Sequence, residues 1–144
     1  MPAGREELTY KPIKRFAPEG VYDSRPLGFT QLLTVSRAKL VVMSGLVAFD
    51  KDLKLIGATV PEQLTATLAN AQAALATVGA GPEHITQVRI YVVGLSPEVM
   101  PGIQAALRNP DFPLDQACST LLGVAALARP DVLVEVEMTA AIDE

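Results

Sequence analysis

The sequence has few of the residues on which many catalytic sites depend. Its 144 residues include one cysteine, Cys118, one histidine, His84, and no tryptophan. A single cysteine excludes an internal disulfide, and a lone cysteine in a strand is usually a small buried hydrophobe. Zinc sites of the usual His/Cys kind need more such ligands than this chain has. A Ser-His-Asp or Cys-His site would have to use His84, whose place beside Glu83 is more typical of a surface residue.

The chain also lacks an excess of positive charge and any long apolar run. Its formal net charge is −4, which gives no general attraction to nucleic acid. No apolar run is long enough to span a bilayer, and residues 1–7 are polar, unlike the apolar core of a secretory signal. With 49% hydrophobic and 19% charged residues, the sequence predicts a single globular domain over residues 1–144. We expect it in the cytosol, with neither a membrane nor a nucleic acid as partner.

Hydrophobic periodicity predicts an alternation of strands and two helices. The first 20 residues contain three prolines and are typical of an irregular or edge segment. Thr59-Val-Pro-Glu62 is a capping-box match that begins the clearest helix. The predicted strands are Gln31–Ser36, Lys39–Ala48, Gln87–Val93, Cys118–Leu127 and Val132–Ile142, and the predicted helices are Thr59–Val78 and Pro97–Arg108.

This order predicts an α+β fold in which two helices cover one face of a mixed sheet. The short connection Ser36–Ala38 predicts that the first two strands pair as a hairpin. The sheet face away from the helices would expose apolar residues such as Val41 or Val42. An apolar face of this size usually indicates an oligomer.

Several stretches resemble the RidA/YjgF family in order and spacing. Together they cover roughly Phe29 to Ile142, and the ordered set is more specific than any single piece. The matching stretches are Ser44-Gly45 after an apolar strand, Gln63, Asn70, Leu75 and Gly79 on the first helix, Thr86–Val92, Ser119–Leu127, Arg129-Pro130, and Val134–Glu137.

The resemblance implies a chorismate-mutase-like α+β fold, with a mixed six-stranded sheet, two helices on one face, and assembly as a homotrimer. It also implies three clefts at the subunit interfaces, each binding a small molecule. Active members of the family hydrolyse reactive enamines and imines, released from serine or threonine by pyridoxal-phosphate enzymes, to 2-keto acids. They require no cofactor and no metal, so we expect neither here.

The resemblance also indicates a departure at the expected site. Active members begin the penultimate strand with an arginine, whose guanidinium fork suits a substrate carboxylate. Ser119 stands at that position. A serine hydroxyl donates a hydrogen bond without charge, and such a loss costs about 2–5 kcal/mol, or tens- to thousands-fold in binding. Glu135 matches the family glutamate that is thought to position water, although a solvated strand residue in line with Glu137 is an equal alternative.

The other predicted pocket residues are mixed in character. Phe29 matches a tyrosine near the family cleft and lacks its hydroxyl. Leu46 stands where the family has glutamine, and Leu121 where some members have cysteine. The remaining predicted substrate-binding residues are Gly45, Thr120 and Arg25. Arg25, Arg89 and Arg129 are the candidates to replace the missing cation, although each is more typical of a surface residue.

These observations leave two main functions open. One is a RidA-like deaminase with weak or altered substrate choice. The other is a non-catalytic trimeric module that binds a small, less acidic metabolite at the subunit interface. Ribonuclease activity is disfavoured by the acidic balance and the single histidine. Chorismate mutase shares the fold, but fold alone does not carry function, and its dianionic substrate would want several cleft arginines.

Overall fold

The computed structural model describes residues 10–144, so the part of the edge-segment prediction that concerns residues 1–9 lies outside the described residues. Six strands and two α-helices follow one another along the chain. They are β1 (Ile13–Phe16), β2 (Leu32–Val35), β3 (Lys39–Val42), α1 (Val60–Ala76), β4 (Ile85–Val93), α2 (Met100–Leu107), β5 (Cys118–Val124) and β6 (Val134–Ile142). Single 3-10 turns occupy Arg25–Leu27 and Pro82–His84.

Helix α1 forms where the capping signal and the apolar periodicity agree. The Thr59 hydroxyl accepts a hydrogen bond from the Glu62 amide and donates one to the Glu62 carboxylate. This reciprocal cap satisfies a backbone donor that the helix itself leaves unpaired. Gly79 follows the helix with a φ of 73°, a left-handed conformation that stops it at low cost. The predicted helix is confirmed, with ends two residues or fewer from those expected.

Four strands form one mixed sheet in the order β3-β6-β4-β5. Strands β4 and β5 are parallel, whereas β6 pairs antiparallel with both β3 and β4. A parallel pair needs a crossover connection, and α2 lies in the segment that joins β4 to β5. The predicted α+β class, with two helices and a mixed sheet, is confirmed.

The predicted hairpin of the first two long strands is wrong, and the six strands do not form a single hydrogen-bonded sheet. Strand β2 pairs antiparallel with β1, and the Ser36 amide extends that pairing by donating to the Pro12 carbonyl. Strand β3 instead pairs with β6. Between them, Arg37 adopts a φ of 54°, which redirects the chain after β2. Adjacency in the sequence therefore predicted the wrong partners, because β2 pairs with β1 and β3 pairs with β6.

The four-stranded sheet has a helix face and an outer face. On the helix face, Val88, Ile90 and Val92 of β4 alternate with more exposed residues, as do Val134 and Val136 of β6. These side chains pack with Leu64, Leu68, Leu75 of α1 and Ile103 of α2 in one core. The outer face carries the intervening residues of β4 and β6 and their neighbours on β5, which are Arg89, Tyr91, Glu135, Glu137, Thr120 and Leu122.

The outer face ends in an apolar edge on β3. Leu40 and Val42 are 69% and 73% exposed, and their register partners on β6 are Ala141 and Thr139. Val41 points the other way and packs against the core. The expectation of exposed apolar residues on this face therefore holds for Val42 rather than Val41. Among the described residues, no helix is both long enough and apolar enough to cross a membrane.

Candidate functional site

The chain bulges where it leaves β3. The Met43 amide donates to the Met138 carbonyl, and Leu46 exchanges both backbone hydrogen bonds with Val136. Three steps along this strand therefore face two steps along β6, so one extra residue is inserted at Ser44-Gly45. A bulge of this kind locally re-aims the side chains beside it. It explains why regular β3 stops at Val42 although apolar residues continue further.

Gly45 lies directly against the carboxylate of Glu135. A Cβ added at Gly45 would overlap that carboxylate, 2.8 Å from its Cδ atom. Gly45 does not have a positive φ, so a side chain there would disturb the Glu135 carboxylate and would not strain the backbone. Among the described residues, Glu135 has no hydrogen-bond or ion-pair partner. Its carboxylate therefore lies against the Gly45 backbone with its oxygens available.

The carboxylate of Glu137, two residues further along the same face, already has partners within the chain. Its Oε1 accepts a hydrogen bond from the Tyr91 hydroxyl and lies 3.5 Å from a terminal nitrogen of Arg89. The hydrogen bond to Glu137 is the main cause that raises the pKa of Tyr91, with burial adding to it. Arg89 and Glu137 are register partners across β4 and β6, as are Tyr91 and Glu135. The two glutamates therefore differ in what they contact, although the sequence pattern treats them alike.

The predicted site residues divide between the two faces of the sheet. Gly45 and Glu135 lie on the outer face, together with Thr120, which is the register partner of Arg89. Ser119 and Leu121 lie on the helix face, because their partners are the buried Val88 and Ile90. Since β4 separates β5 from β6, one chain does not bring Ser119 and Glu135 together.

Leu46 and Leu121 are both half-buried against the hydrophobic core. The position of Leu46 follows from its pairing with Val136, which is fully buried on the helix face. Their part in a pocket stays a prediction. The polar side chains next to these leucines lie on the opposite face, as Thr120 does on β5 and Glu135 on β6.

Phe29 is placed beside the beginning of β5. Its carbonyl accepts a hydrogen bond from the buried Ser24 hydroxyl, at 2.8 Å. The next residue, Thr30, donates its backbone amide to the Ala117 carbonyl at 2.9 Å. These bonds hold the segment before β2 against the residues that lead into Ser119. The backbone at Phe29 is therefore fixed beside the segment that leads into Ser119.

Arg25 is engaged by a carboxylate of its own loop. Its Nε and one terminal nitrogen donate to the two oxygens of Asp23, at 2.9 and 2.8 Å. This bidentate pair holds the pKa of Asp23 at about 2, below its usual 3.8, and raises that of Arg25. Arg129 is paired in the same way with Asp131 and lies 4.8 Å from the ring of Phe49. Both arginines thus have internal partners.

The lone cysteine and the lone histidine have local roles. Burial raises the pKa of the Cys118 thiol, which disfavours its nucleophilic form. His84 Nδ1 accepts a hydrogen bond from the Gly81 amide and so closes the turn before β4. Within residues 10–144, no group of three or more His, Cys, Asp or Glu side chains is placed to hold a metal ion.

Two residues near these positions were missed from the sequence. Tyr91 is the hydrogen-bond partner that occupies Glu137. Arg15 of β1 donates to the Gln116 carbonyl at 2.7 Å, just before β5. Its positive charge also lowers the pKa of Cys118, against the larger effect of burial. Neither gives a signal in the sequence, because both contacts depend on pairings between distant segments.

Comparison with known proteins places this geometry among related chains. The family model described as endoribonuclease L-PSP matches residues 25–142. Among solved structures, YyfB from Yersinia pestis, a protein of the conserved Rid family, is 31% identical with a TM-score of 0.81, and the match covers 91% of this chain and 99% of that one. No curated protein matches the chain.

Two more distant structures share the fold. A YjgF-family protein from Neisseria meningitidis is 20% identical with a TM-score of 0.60, over 92% of this chain and 96% of that one. A member of the same family from Mycobacterium tuberculosis is 23% identical with a TM-score of 0.55, over 90% and 99% of the two chains. At this level of identity the likeness establishes only the fold.

Proposed function

The chain belongs to the endoribonuclease L-PSP family of Rid and YjgF proteins, and from that premise we propose that it hydrolyses small reactive enamines and imines to 2-keto acids. Its activity is altered or weak, because Ser119 replaces the arginine with which active members bind the substrate carboxylate. The observation that carries the proposal is the unpaired carboxylate of Glu135 against Gly45. Tyr91 and Arg89 occupy the neighbouring Glu137 and leave Glu135 as the free base.

The reaction needs a group that moves protons and little else. In 2-iminopropanoate, water adds to C2 of the imine while Glu135 takes a proton from that water. Glu135 returns that proton to the nitrogen, which gives a carbinolamine. The hydroxyl proton of the carbinolamine then passes through Glu135 to the nitrogen as the carbon–nitrogen bond breaks, so that ammonia leaves and pyruvate remains. A carboxylate without an internal hydrogen-bond partner suits this role, because its oxygens need not give up another hydrogen bond before accepting the proton.

The division of the site between two faces supports an assembly in which two copies complete it. Ser119 and Glu135 point to opposite sides of the sheet within one chain. A pocket that uses both requires the outer face of one copy to meet the β5 edge of another. The exposed Leu40 and Val42 give the outer face the apolar area that such a contact would bury. We therefore include a homotrimer with interfacial ligand sites in the proposal.

The test is the release of pyruvate from freshly generated 2-iminopropanoate. We expect the wild-type protein to accelerate hydrolysis and Glu135→Gln to lower the catalysed rate by about 100-fold or more. Glu137→Gln is the matched control, because it removes the same charge on the same strand. If the wild-type rate equals the uncatalysed rate, or if both variants lose activity equally, the proposal is wrong. A single-stranded RNA substrate serves as a negative control.

The interfacial site has its own test. Ser119→Glu would repel a substrate carboxylate, and Glu135→Gln lacks the base, so each variant alone should be inactive. Oligomers reassembled from an equal mixture should recover about a quarter of the wild-type activity, because some interfaces then combine two intact halves. No recovery, in oligomers shown by mass to be mixed, would place both halves within one copy.

A second candidate function is a non-catalytic trimeric module that binds a small metabolite at the interface. The observation that favours it is the loss of charge at Ser119 together with the inward packing of Leu121. Such a pocket would prefer a ligand without a carboxylate. A wild-type protein that binds neutral amides or lactams but releases no keto acid would support this function.

A further inference from the structure

Helix α1 carries two side-chain amides that the proposed chemistry does not use. Gln63 is 1% exposed, and a buried primary amide is costly unless its donors and acceptor are paired. Its Nε2 donates to the carbonyls of Gly57 and Asp131, at 3.3 and 3.0 Å. Its Oε1 accepts from the Leu133 amide at 2.8 Å. All three partners are backbone groups, so this side chain fixes the path of the chain into β6.

Asn70 makes the equivalent contact on the other segment of the site. Its Nδ2 donates to the carbonyls of Val47 and Phe49, at 3.0 and 2.9 Å. Asn70 lies seven residues after Gln63, which is two helical turns and therefore the same side of α1. One face of a rigid helix thus holds both the chain that follows Gly45 and the chain that precedes Glu135.

The backbone groups that these amides hold lie close in sequence to Gly45 and Glu135. Leu133 lies two residues before Glu135, and Val47 lies two residues after Gly45. The paired Leu46 and Val136, each one residue from Gly45 or Glu135, join the two segments beside the site. The Glu135 carboxylate lies directly against the Gly45 backbone, so that even one added carbon at Gly45 would overlap it. A small shift of either segment would therefore move Glu135 relative to the backbone against which it packs.

We infer that Gln63 and Asn70 are positioning residues, which together set the location of the Glu135 carboxylate by holding the two segments that meet there. They act through the backbone and not through contact with the substrate. The inference rests on the proposed function only for its effect on catalysis. Its structural part, that the two amides hold the contact between Gly45 and Glu135 in place, stands independently of the reaction.

The test compares Gln63→Met and Asn70→Leu, which keep approximate volume and lose the amide, with Thr67→Val. Thr67 is fully buried between them on the same helix, and its hydroxyl donates only to the Gln63 carbonyl. The control should therefore destabilise α1 without releasing either segment. Urea unfolding of all three variants gives the stability loss against which the other effects are judged.

The first readout is hydrogen exchange at the Leu46 and Val136 amides, which pair with each other beside the site. In Gln63→Met and Asn70→Leu we expect these amides to exchange about fivefold faster or more, relative to the Val88 and Ile90 amides of β4. In Thr67→Val both sets should change by the same factor. A uniform change in all three variants would overturn the inference.

The second readout is the hydrolysis of 2-iminopropanoate. We expect kcat to fall about 10- to 100-fold in Gln63→Met and Asn70→Leu with KM little changed, and to stay within about twofold in Thr67→Val. If the wild-type protein is inactive but the selective exchange is seen, the proposed function fails and the positioning role stands. If kcat falls equally in Thr67→Val at equal stability, the amides stabilise the helix and do not position the site.

Discussion

The two faces of the sheet carry different parts of the proposed reaction site. On the outer face, Glu135 packs on Gly45 with its oxygens unpaired. On the helix face, Ser119 stands where active members of the family are expected to carry an arginine, and Leu121 where some members are expected to carry a cysteine. The half proposed to move protons is therefore present, while the half proposed to hold a carboxylate carries an uncharged serine. A site can diverge by changing its affinity for the substrate while its reactive group stays in place.

The largest effect on activity is expected from restoring the missing positive charge at position 119. Ser119→Arg should raise kcat/KM for 2-iminopropanoate by tens- to thousands-fold, because a charged, bidentate contact replaces a neutral one. The hydrolysis of an imine without a carboxylate should not improve, and comparing the two substrates is the measurement. An equal gain on both substrates would show that the arginine acts on something other than the carboxylate.

Disturbing the outer face should have the next largest effect. Gly45→Ala inserts a carbon that overlaps the Glu135 carboxylate and so displaces it. We expect kcat to fall about 10- to 100-fold, with a smaller change in KM, measured by steady-state pyruvate release. Gly79→Ala is the control, because a Cβ there meets nothing within 4 Å, although its φ of 73° makes the change mildly destabilising. Normal activity in Gly45→Ala would argue against Glu135 as the base.

The occupied glutamate should matter to stability more than to activity. Glu137→Gln weakens the hydrogen bond from Tyr91 and removes the ion pair with Arg89, which is half exposed. We expect the free energy of unfolding to fall by at most about 1 kcal/mol and the activity to stay within about threefold. Urea unfolding and the hydrolysis assay check these two expectations. A loss of activity as large as that of Glu135→Gln would remove the distinction between the two residues.

The smallest effect is expected at Arg25, the arginine nearest to Phe29 in the sequence. The folded pKa of Asp23 is lowered to about 2 by Arg25, so this pair contributes stability above pH 3.8 and loses it as the pH falls towards 2. Asp23→Asn should therefore make the unfolding free energy less dependent on pH between about 4 and 2. It should leave hydrolysis unchanged, and a gain would show that the released Arg25 reaches the substrate.

Local patterns predicted the elements of the fold better than their partners. The capping box at Thr59 and the glycine stop at Gly79 predicted α1 because both act within one turn of the helix. The partners of β2 and β3 were missed because strand pairing is decided by segments far away in the chain. The early end of β3 was missed for the same reason, since the bulge exists only in relation to β6.

The candidate site shows the same limit. Glu135 and Glu137 are equivalent by alternation, and only the cross-strand neighbours Tyr91 and Arg89 distinguish them. The separation of Ser119 from Glu135 follows from the register of three strands, which no single segment specifies. The residues themselves were named by resemblance to a family, and their roles stay predictions until the variants are measured.

The position of β6 has a consequence for how the chain reaches this state. β6 lies inside the sheet, between β3 and β4, yet it follows both of them in the chain. During synthesis, β3 and β4 therefore have no common partner until the ribosome has made β6, and their hydrogen-bonding edges stay open meanwhile. Contacts of such long sequence separation fold slowly and leave intermediates prone to aggregate. The protein is thus most vulnerable to misfolding just before the strand that carries Glu135 is complete.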